Sequence, residues 1–290
     1  MPELEFVAPT TAEEAVRALA AGGGKARPLA GGTDLLVQLK SGRAKPSAIV
    51  DLKRIPGMIG ISASGGGFVI GAATPGVMLG EHAALAAAWP GVVEGANLIG
   101  STQIQGRATL AGNLCNASPA ADSVPAMIAA GATCVIVGGK GRREIPVEEV
   151  ATGPGQTSLA PDEFVLEIKL PARPARAADA YLRSIPRTEM DIAVVGAGVN
   201  LTLGDGGKIT AARVALGAVG PTAMLVPAAG AAIVGTTLDE AALDALDAAA
   251  RAAAKPISDK RGTIDYRIKI AGVLARRAAR IAYRRAEARA

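Results

Sequence analysis

Residues 99–122 read IGSTQIQGRATLAGNLCNASPAAD, and they form the most informative stretch of the chain. Loops without secondary structure rarely exceed about 15 residues unless they are functional or disordered. This stretch is dense in small, hydroxyl and amide side chains that can hydrogen-bond to a polar ligand, while Ala108, Leu110 and Leu114 supply apolar anchors. The composition therefore predicts an ordered loop that wraps a polar cofactor.

A second informative stretch lies upstream, where residues 27–36 read RPLAGGTDLL. Gly31 and Gly32 stand between a predicted strand at 25–30 and a predicted helix at 34–40, which Thr33 begins. Consecutive backbone N–H groups at such a helix start can close around an anion, and a diphosphate would fit there. Strand-to-helix turns with two glycines also arise for packing reasons alone, so both interpretations of this stretch stay open.

The composition narrows the class of protein. The chain has 290 residues, which suits at least two packed units, and its 36 glycines exceed the usual share of roughly 7%. Only 2% of the residues are aromatic, which argues against a surface for nucleic acid despite the net charge of +5. No stretch approaches the roughly 20 apolar residues of a membrane helix, and the N-terminus lacks a signal-peptide pattern. We therefore expect a soluble, cytoplasmic protein that binds no nucleic acid and has no integral membrane segment.

The few cysteine and histidine residues limit the metal chemistry. Cys115 and Cys134 have no CxxC spacing, and His82 lies in an Ala-rich segment without a carboxylate or cysteine at ligand spacing. Neither a disulfide framework nor a zinc or iron–sulfur site can be assembled from this chain alone. Any redox metal is therefore expected on a partner. His82 is interpreted as structural, and Cys115 either as a packed side chain or as part of the function of its loop.

The first 170 residues alternate predicted helices and strands. Thr11 and Glu14 form a capping box that predicts a helix through Ala21. The other predicted elements are strands at 48–52, 134–138 and 164–170, a hairpin of 59–63 with 68–72, helices at 76–86, 89–96 and 123–130, and a loop at 152–162. Residues 171–174, Pro-Ala-Arg-Pro, disfavour both helix and strand, and they predict a domain boundary.

Beyond this boundary the pattern predicts an antiparallel meander with helices on one face. The strands are expected at 180–184, 192–203 and 209–217, and the helices at 238–252 and 266–285. Gly196 and Gly198 resemble half of a dinucleotide fingerprint, but they lie within a predicted strand and are interpreted as structural. The arginines of the amphipathic last helix, Arg276, Arg280 and Arg284, are expected to face solvent or an acidic partner subunit.

Four segments occur in order along the chain: AGGTDLL from residue 30, ATLAGNLCNASPAAD from 108, LAPDEFVLEIKLP from 159 and YLRSIPRTEMDIAVVG from 181. Together they resemble the FAD-binding medium subunit of the molybdenum hydroxylases, the family of xanthine dehydrogenase and aerobic carbon monoxide dehydrogenase. Residues 258–261, 266–267 and 273–278 are similar to the C-terminal domain of the same flavoproteins.

The resemblance implies a fold of the α+β class. A PCMH-type FAD-binding domain would occupy residues 1–173, as two α/β subdomains of about 1–55 and 56–173. A C-terminal domain resembling that of the carbon monoxide dehydrogenase flavoprotein would occupy residues 174–290, with a three-stranded antiparallel sheet and helices.

The resemblance also implies which residues bind the cofactor, and it implies no catalytic or metal-binding residue in this chain. The first loop around the FAD diphosphate matches Ala30, Gly31, Gly32, Thr33 and Asp34. The second diphosphate loop matches residues 109–113, with Thr109, Ala111, Gly112 and Asn113 as contacts, and Asp122 matches the acidic residue that closes the site.

Ile99 and Gly100 match positions near the flavin ring, and Leu166 belongs to the same cofactor-binding set. Arg183 stands where some members have Lys near the flavin. Ile192 stands where carbon monoxide dehydrogenases tend to carry Tyr, which argues against carbon monoxide as the substrate.

The function implied by the resemblance is electron transfer. Electrons would pass from [2Fe-2S] clusters of a small partner subunit through FAD to NAD or a quinone, beside a large molybdopterin-binding subunit, in a dimer of heterotrimers. FAD carries the two-electron chemistry, so no general base is needed.

Two alternatives to this electron-transfer function stay open. A self-contained flavin reductase or oxidase of the same superfamily would need acid or base residues facing the flavin, and a basic scaffold or adaptor would keep the fold without FAD.

Overall fold

The N-terminal unit is a parallel three-stranded sheet with two helices. The computed structural model describes residues 4–188 and 190–289. Strands β1 (Glu5–Val7), β2 (Ala26–Leu29) and β3 (Ala48–Asp51) pair in parallel in the order β1-β3-β2. Helices α1 (Ala12–Ala21) and α2 (Leu35–Lys40) connect them, so the predicted βαβ unit is confirmed.

The predicted capping box of α1 is confirmed with one change of partner. The Thr11 side chain accepts from the backbone N–H of Glu14 at 3.2 Å, as predicted. The Glu14 carboxylate reaches back to the backbone N–H of Thr10 at 2.8 Å, one residue before the position that a standard box uses.

A five-stranded antiparallel sheet follows, in the order β4-β5-β10-β6-β7. Its strands are β4 (Ile61–Ser64), β5 (Gly67–Gly71), β6 (Thr133–Gly138), β7 (Gly141–Pro146) and β10 (Phe164–Leu170), and a two-stranded ribbon is formed by β8 (Ala151–Gly153) and β9 (Gln156–Thr157). The hairpin of β4 with β5 is confirmed. The ribbon contradicts the loop predicted at 152–162. Strand β7 escaped prediction because its sequence, GRREIP, is polar and lies largely at the surface.

Six helices occur in the same part of the chain: α3 (Gly76–Glu81), α4 (Ala83–Ala88), α5 (Pro90–Asn97), α6 (Thr102–Gln105), α7 (Leu110–Cys115) and α8 (Ser123–Ala130). The single helix predicted at 76–86 is wrong, because His82 interrupts it. The His82 backbone is extended, and its Nδ1 accepts from the N–H of Leu85 at 3.1 Å, so the imidazole caps the start of α4. His82 therefore has the structural role that was predicted for it.

The prediction of a continuous loop at 99–122 is also wrong, since α6 and α7 lie within it. Thr109 begins α7 by accepting from the N–H of Gly112 at 2.9 Å. Leu110 and Leu114 are buried on the same helix and anchor it to the core, which is the role expected for the apolar residues of this stretch.

The C-terminal part is a four-stranded antiparallel sheet in chain order, β11 (Ala177–Ser184), β12 (Val195–Leu203), β13 (Ile209–Gly217) and β14 (Met224–Leu225). The three-stranded meander is confirmed, and the fourth strand adds only two residues to its edge. Helices α9 (Pro227–Ala231), α10 (Glu240–Ala253) and α11 (Ile264–Glu287) complete it. None of the helices within the described residues is long and apolar enough to span a membrane.

Helix α8 connects the two parts, since all eight of its residues are buried. Gly198 of β12 lies against its first turn, where an added Cβ would sit 2.6 Å from the carbonyl oxygen of Pro125. Gly198 is therefore a packing residue within a strand, as predicted for the half fingerprint. The segment 171–174 joins β10 to β11, at the place of the predicted domain boundary.

Two of the arginines on α11 lie at the surface and pair with acids of the same chain. Arg276 pairs with Glu240 at 2.8 Å and with Asp244, and Arg280 pairs with Glu240 at 2.5 Å. Both acids belong to α10, so these arginines hold two helices of the same chain together. The exposure of Arg280, at 43%, agrees with the expected solvent-facing side of the helix. The ion pairs themselves were not predicted, because the acids lie more than 30 residues away along the chain.

Candidate functional site

The two stretches that dominate the sequence line one cavity of about 660 Å³. The walls come from the turn between β2 and α2, from the start of α7, and from the segment that leads into β10. The structure brings these predicted residues together in its lining: Ala30, Gly31, Gly32, Thr33, Asp34, Ile99, Thr109, Ala111, Gly112 and Asn113. The pairing of the two loops, which the sequence could only suggest, is thus a feature of the fold.

The close approach of the two loops requires glycine at position 31. A Cβ added to Gly31 would lie 2.8 Å from the carbonyl carbon of Arg107 and 3.1 Å from Cα of Ala108, with the Arg107 oxygen nearer still. The neighbouring Gly32 has φ of 81°, a left-handed conformation that side chains disfavour. Position 31 therefore requires glycine because Arg107 approaches so closely, and position 32 favours glycine because of its positive φ.

Polar contacts fix the shape of the first loop. Lys53 donates to the carbonyl oxygen of Ala30 at 3.2 Å and is itself held by Asp51 at 2.5 Å. Gln38 of α2 donates to the Asn116 side chain at 3.2 Å, which ties the helix after the first loop to the end of α7. The two loops are consequently held at one separation by side chains outside the turns.

The first loop offers hydrogen-bond donors to a ligand. Within residues 4–188 and 190–289, no group of the chain accepts a hydrogen bond from the backbone N–H groups of residues 31–34. Such successive free N–H groups at a strand-to-helix turn form a concave surface for an anion. The geometry fits the phosphate groups of a dinucleotide cofactor.

The lining carries more positive than negative side chains. Four basic residues stand along the wall formed by β2 and the segment after α2: Lys25, Arg27, Arg43 and Lys45. Of the two acids in the lining, Glu163 is paired with Arg143 at 2.8 Å, and this hydrogen-bonded pairing lowers its pKa. Burial raises the pKa of the other, Asp34. The balance of charge suits an anionic ligand.

Five predicted residues do not line this cavity. Gly100 follows Ile99 with φ of 62°, and Ile192 is 51% exposed. Leu166 instead lines a smaller cavity of about 410 Å³, together with Thr10 and Ile55. Asp122 and Arg183, described next, also lie outside it. Contact of these five with a cofactor stays a prediction.

Asp122 and Arg183 form a buried ion pair with 2.7 Å between Oδ2 and Nη1. Tyr181 donates to the same carboxylate at 3.4 Å. Burial raises the pKa of Asp122 to about 6, against the lowering effects of the Arg183 charge and of the two hydrogen bonds. The Nε of Arg183 is buried without a hydrogen-bond partner among the described residues.

The sequence reasoning missed several lining residues. The four basic residues were passed over because they are scattered along the chain, and only the fold brings them to one wall. Residues 159–161 and 163–165 also line the cavity, and their signal was the third of the four family segments. Cys115 lines the cavity as well, and burial raises the pKa of its thiol to about 12. The thiol is therefore neutral, and the side chain packs against the hydrophobic core at the edge of the cavity.

The fold and the cavity define a mixed helix-and-sheet protein built to hold an anionic nucleotide cofactor between two loops. A family model described as the FAD binding domain in molybdopterin dehydrogenase matches residues 2–173, and one for the CO dehydrogenase flavoprotein C-terminal domain matches residues 180–282. The chain belongs to the family of FAD-binding medium subunits of the molybdenum hydroxylases, and it is an oxidoreductase subunit.

Relatives support this assignment over the whole chain. The carbon monoxide dehydrogenase medium chain of Afipia carboxidovorans is 37% identical over 283 residues, covering 98% of each chain. The 6-hydroxypseudooxynicotine dehydrogenase complex subunit alpha of Paenarthrobacter nicotinovorans is 30% identical and covers 93% of this chain and 90% of its own. A solved structure of Cu,Mo-CO dehydrogenase aligns with a TM-score of 0.93 at 36% identity, covering 98% of this chain and 99% of that one.

Proposed function

We propose that this chain binds FAD in the 660 Å³ cavity and passes electrons through it. The donors would be [2Fe-2S] clusters of a small partner subunit, and the acceptor would be NAD or a quinone. The observation that carries the proposal is the meeting of the two predicted FAD loops at Gly31 and Arg107, in a chain whose family binds FAD. When bound, FAD supplies the ability to accept and release electrons, and the chain supplies orientation and access.

The residues of the cavity fit the cofactor. The N–H groups of residues 31–34 and the basic wall suit the diphosphate, and Thr109 shapes the start of α7 beside it. We place the flavin ring toward Ile99 and Gly100, with Leu166 and Ile192 as further contacts. Ile192 also supports a substrate other than carbon monoxide for the assembly.

Arg183 is proposed to act on the flavin through its charge. If its guanidinium lies near the ring, it favours the anionic reduced flavin and raises the reduction potential. The test is the flavin potential of the Arg183→Ala variant measured in the assembled complex. An unchanged potential contradicts this role and leaves Arg183 as the ion-pair partner of Asp122.

The partners are proposed from the relatives. The related solved structures are a Cu,Mo-CO dehydrogenase and a carbon monoxide dehydrogenase from Hydrogenophaga pseudoflava that lacks the Mo-pyranopterin moiety of the molybdenum cofactor. We infer a large molybdopterin-binding subunit and a small [2Fe-2S] subunit, arranged as a cytoplasmic dimer of heterotrimers. We also propose that residues 1–173 and 174–290 are separate domains of this chain.

The experiment is purification of the chain together with the products of neighbouring open reading frames, followed by analysis of cofactors and subunits. FAD, iron and molybdenum are expected in one assembly. An assembly with flavin alone and no second polypeptide contradicts the proposal, as does turnover of a small substrate by the isolated chain. A chain without flavin absorbance, after handling that retains loosely held FAD, supports the scaffold alternative.

A further inference from the structure

The side-chain amide of Asn113 is held in one orientation by a residue that lies outside the cavity lining. Its Oδ1 accepts two hydrogen bonds from Ser123, from Oγ at 2.7 Å and from the backbone N–H at 3.2 Å. Ser123 is fully buried at the first position of α8. The backbone of Asn113 is fixed as well, because its N–H donates to the carbonyl oxygen of Thr109 at 3.0 Å.

These contacts determine which end of the amide faces the cavity. A backbone N–H can only donate, so the atom facing Ser123 must be the oxygen of Asn113. The NH₂ group then lies on the other side, and Asn113 is part of the cavity lining. In the part of the chain that the structure describes, Nδ2 donates to no protein group. Asn113 therefore presents donors to whatever occupies the cavity.

The chemistry of the neighbouring groups indicates the acceptor. The free N–H groups of residues 31–34 line the same cavity, as do the basic side chains of Lys25 and Lys45. A set made of donors and positive charges matches a group that only accepts hydrogen bonds. Within FAD, the phosphate oxygens are such groups, whereas adenine and the flavin ring also donate.

We propose that Ser123 is a positioning residue for FAD, which holds Asn113 so that Nδ2 donates to a phosphate oxygen of the cofactor. The proposal rests on the proposed FAD binding. It adds a residue of α8 that touches no cofactor, and it assigns a donor role to the Asn113 side chain. Substitution of Ser123 should therefore change FAD affinity only as long as Asn113 is present.

The first test replaces Asn113 by a residue of the same shape that cannot donate. Asn113→Asp keeps the oxygen that Ser123 needs, and a carboxylate near the start of α8 is compatible with the helix. The apo chain should keep its wild-type unfolding midpoint. The loss of a hydrogen bond to a charged group, with added repulsion, should weaken FAD binding by roughly 100-fold or more. Wild-type affinity in Asn113→Asp overturns the proposal.

The second test is a double-mutant cycle, which separates positioning from general stability. FAD titrations of the full chain compare wild type, Ser123→Ala, Asn113→Ala and the double variant. Ser123→Ala should weaken binding by roughly 3- to 10-fold, the equivalent of one ordinary hydrogen bond. In the Asn113→Ala background it should have no further effect. Equal weakening in both backgrounds overturns the positioning role.

Ser118→Ala is the matched control, because Ser118 lies in the same stretch and, among the described residues, its hydroxyl accepts only from the N–H of Ala120 at 3.3 Å. It should bind FAD as wild type does. If Ser123→Ala fails to fold, Ser123→Cys takes its place in the cycle, because a thiol keeps the shape and donates more weakly, while Asn113→Asp decides the donor role of Asn113. A wild-type chain that binds no FAD overturns the proposed function itself, whereas wild-type binding with unaffected Asn113 and Ser123 variants overturns only this inference.

Discussion

Gly31→Ala tests whether the contact between the two loops creates the cofactor site. The new methyl group would lie 2.8 Å from the carbonyl carbon of Arg107, where ordinary contacts begin at 3.4 Å. The Arg107 carbonyl oxygen would lie nearer still, so the loops must separate by more than 0.6 Å, the difference of these two distances. Because Lys53 and Gln38 hold the first loop in place, the strain falls on the site itself.

The magnitude follows from two effects. Overpacking of a tight contact costs about 1–3 kcal/mol of unfolding free energy. Misalignment of one donor to a charged phosphate costs about 1.5–3 kcal/mol of binding free energy, which corresponds to roughly 10- to 150-fold weaker FAD binding.

The assay is titration of the apo chain with FAD, followed by flavin fluorescence, beside thermal unfolding without cofactor. Gly106→Ala is the control, because it adds the same methyl group near the second loop with its nearest neighbour, the Gln103 oxygen, at 3.4 Å. It should bind FAD as wild type does. If Gly31→Ala binds FAD as tightly as Gly106→Ala, the contact of the loops does not form the site and the reasoning fails.

Three further predictions concern caps, charge and packing. Thr109→Val removes the side-chain acceptor for the N–H of Gly112, so it should lower the free energy of unfolding in urea by about 1 kcal/mol and weaken FAD binding. Thr109→Ser keeps the hydroxyl and should retain the wild-type stability and FAD affinity. Arg183→Met leaves the buried Asp122 without its cation and should cost about 3–5 kcal/mol of unfolding free energy at pH 8. That cost should shrink at pH 5, because Asp122, whose pKa burial already raises to about 6, is then protonated and neutral; an equal cost at both pH values contradicts this. Leu114→Ala empties a fully buried position and should cost about 2–5 kcal/mol, while Ile257→Ala, at a side chain that is 73% exposed, should change stability by less than about 0.5 kcal/mol.

Local signals explain the elements that were predicted. The cap at Thr11, the turn between β4 and β5 and the apolar run of α8 each lie within a few residues of the element they specify. Elements that depend on distant partners were missed. Strand β7 is polar and exists because β6 pairs with it, and β14 consists of two residues held by the edge of β13.

The break at His82 had a local cause that residue pattern alone does not reveal. Alanine-rich sequence on both sides favours one continuous helix. Two separate helices form instead, because the His82 imidazole accepts from the N–H of Leu85. Its ring also packs edge-on against Phe68, with 5.8 Å between the ring centroids. Phe68 belongs to β5, so the tertiary contact adds to the local cap.

The sequence by itself determined the two cofactor stretches, because glycine pairs, caps and apolar anchors are encoded in consecutive residues. Its four ordered segments carried the resemblance to the family, and through that resemblance the α+β class. Only the tertiary structure decided that Gly31 touches Arg107, that four scattered basic residues share one wall, and that Asp122 pairs with Arg183. The tertiary structure also decided that Ser123 hydrogen-bonds to the side-chain amide of Asn113, which lies ten residues earlier in the chain. Hydrogen bonds and ion pairs act over about 3 Å in space, and the spacing of residues along a chain does not report that distance.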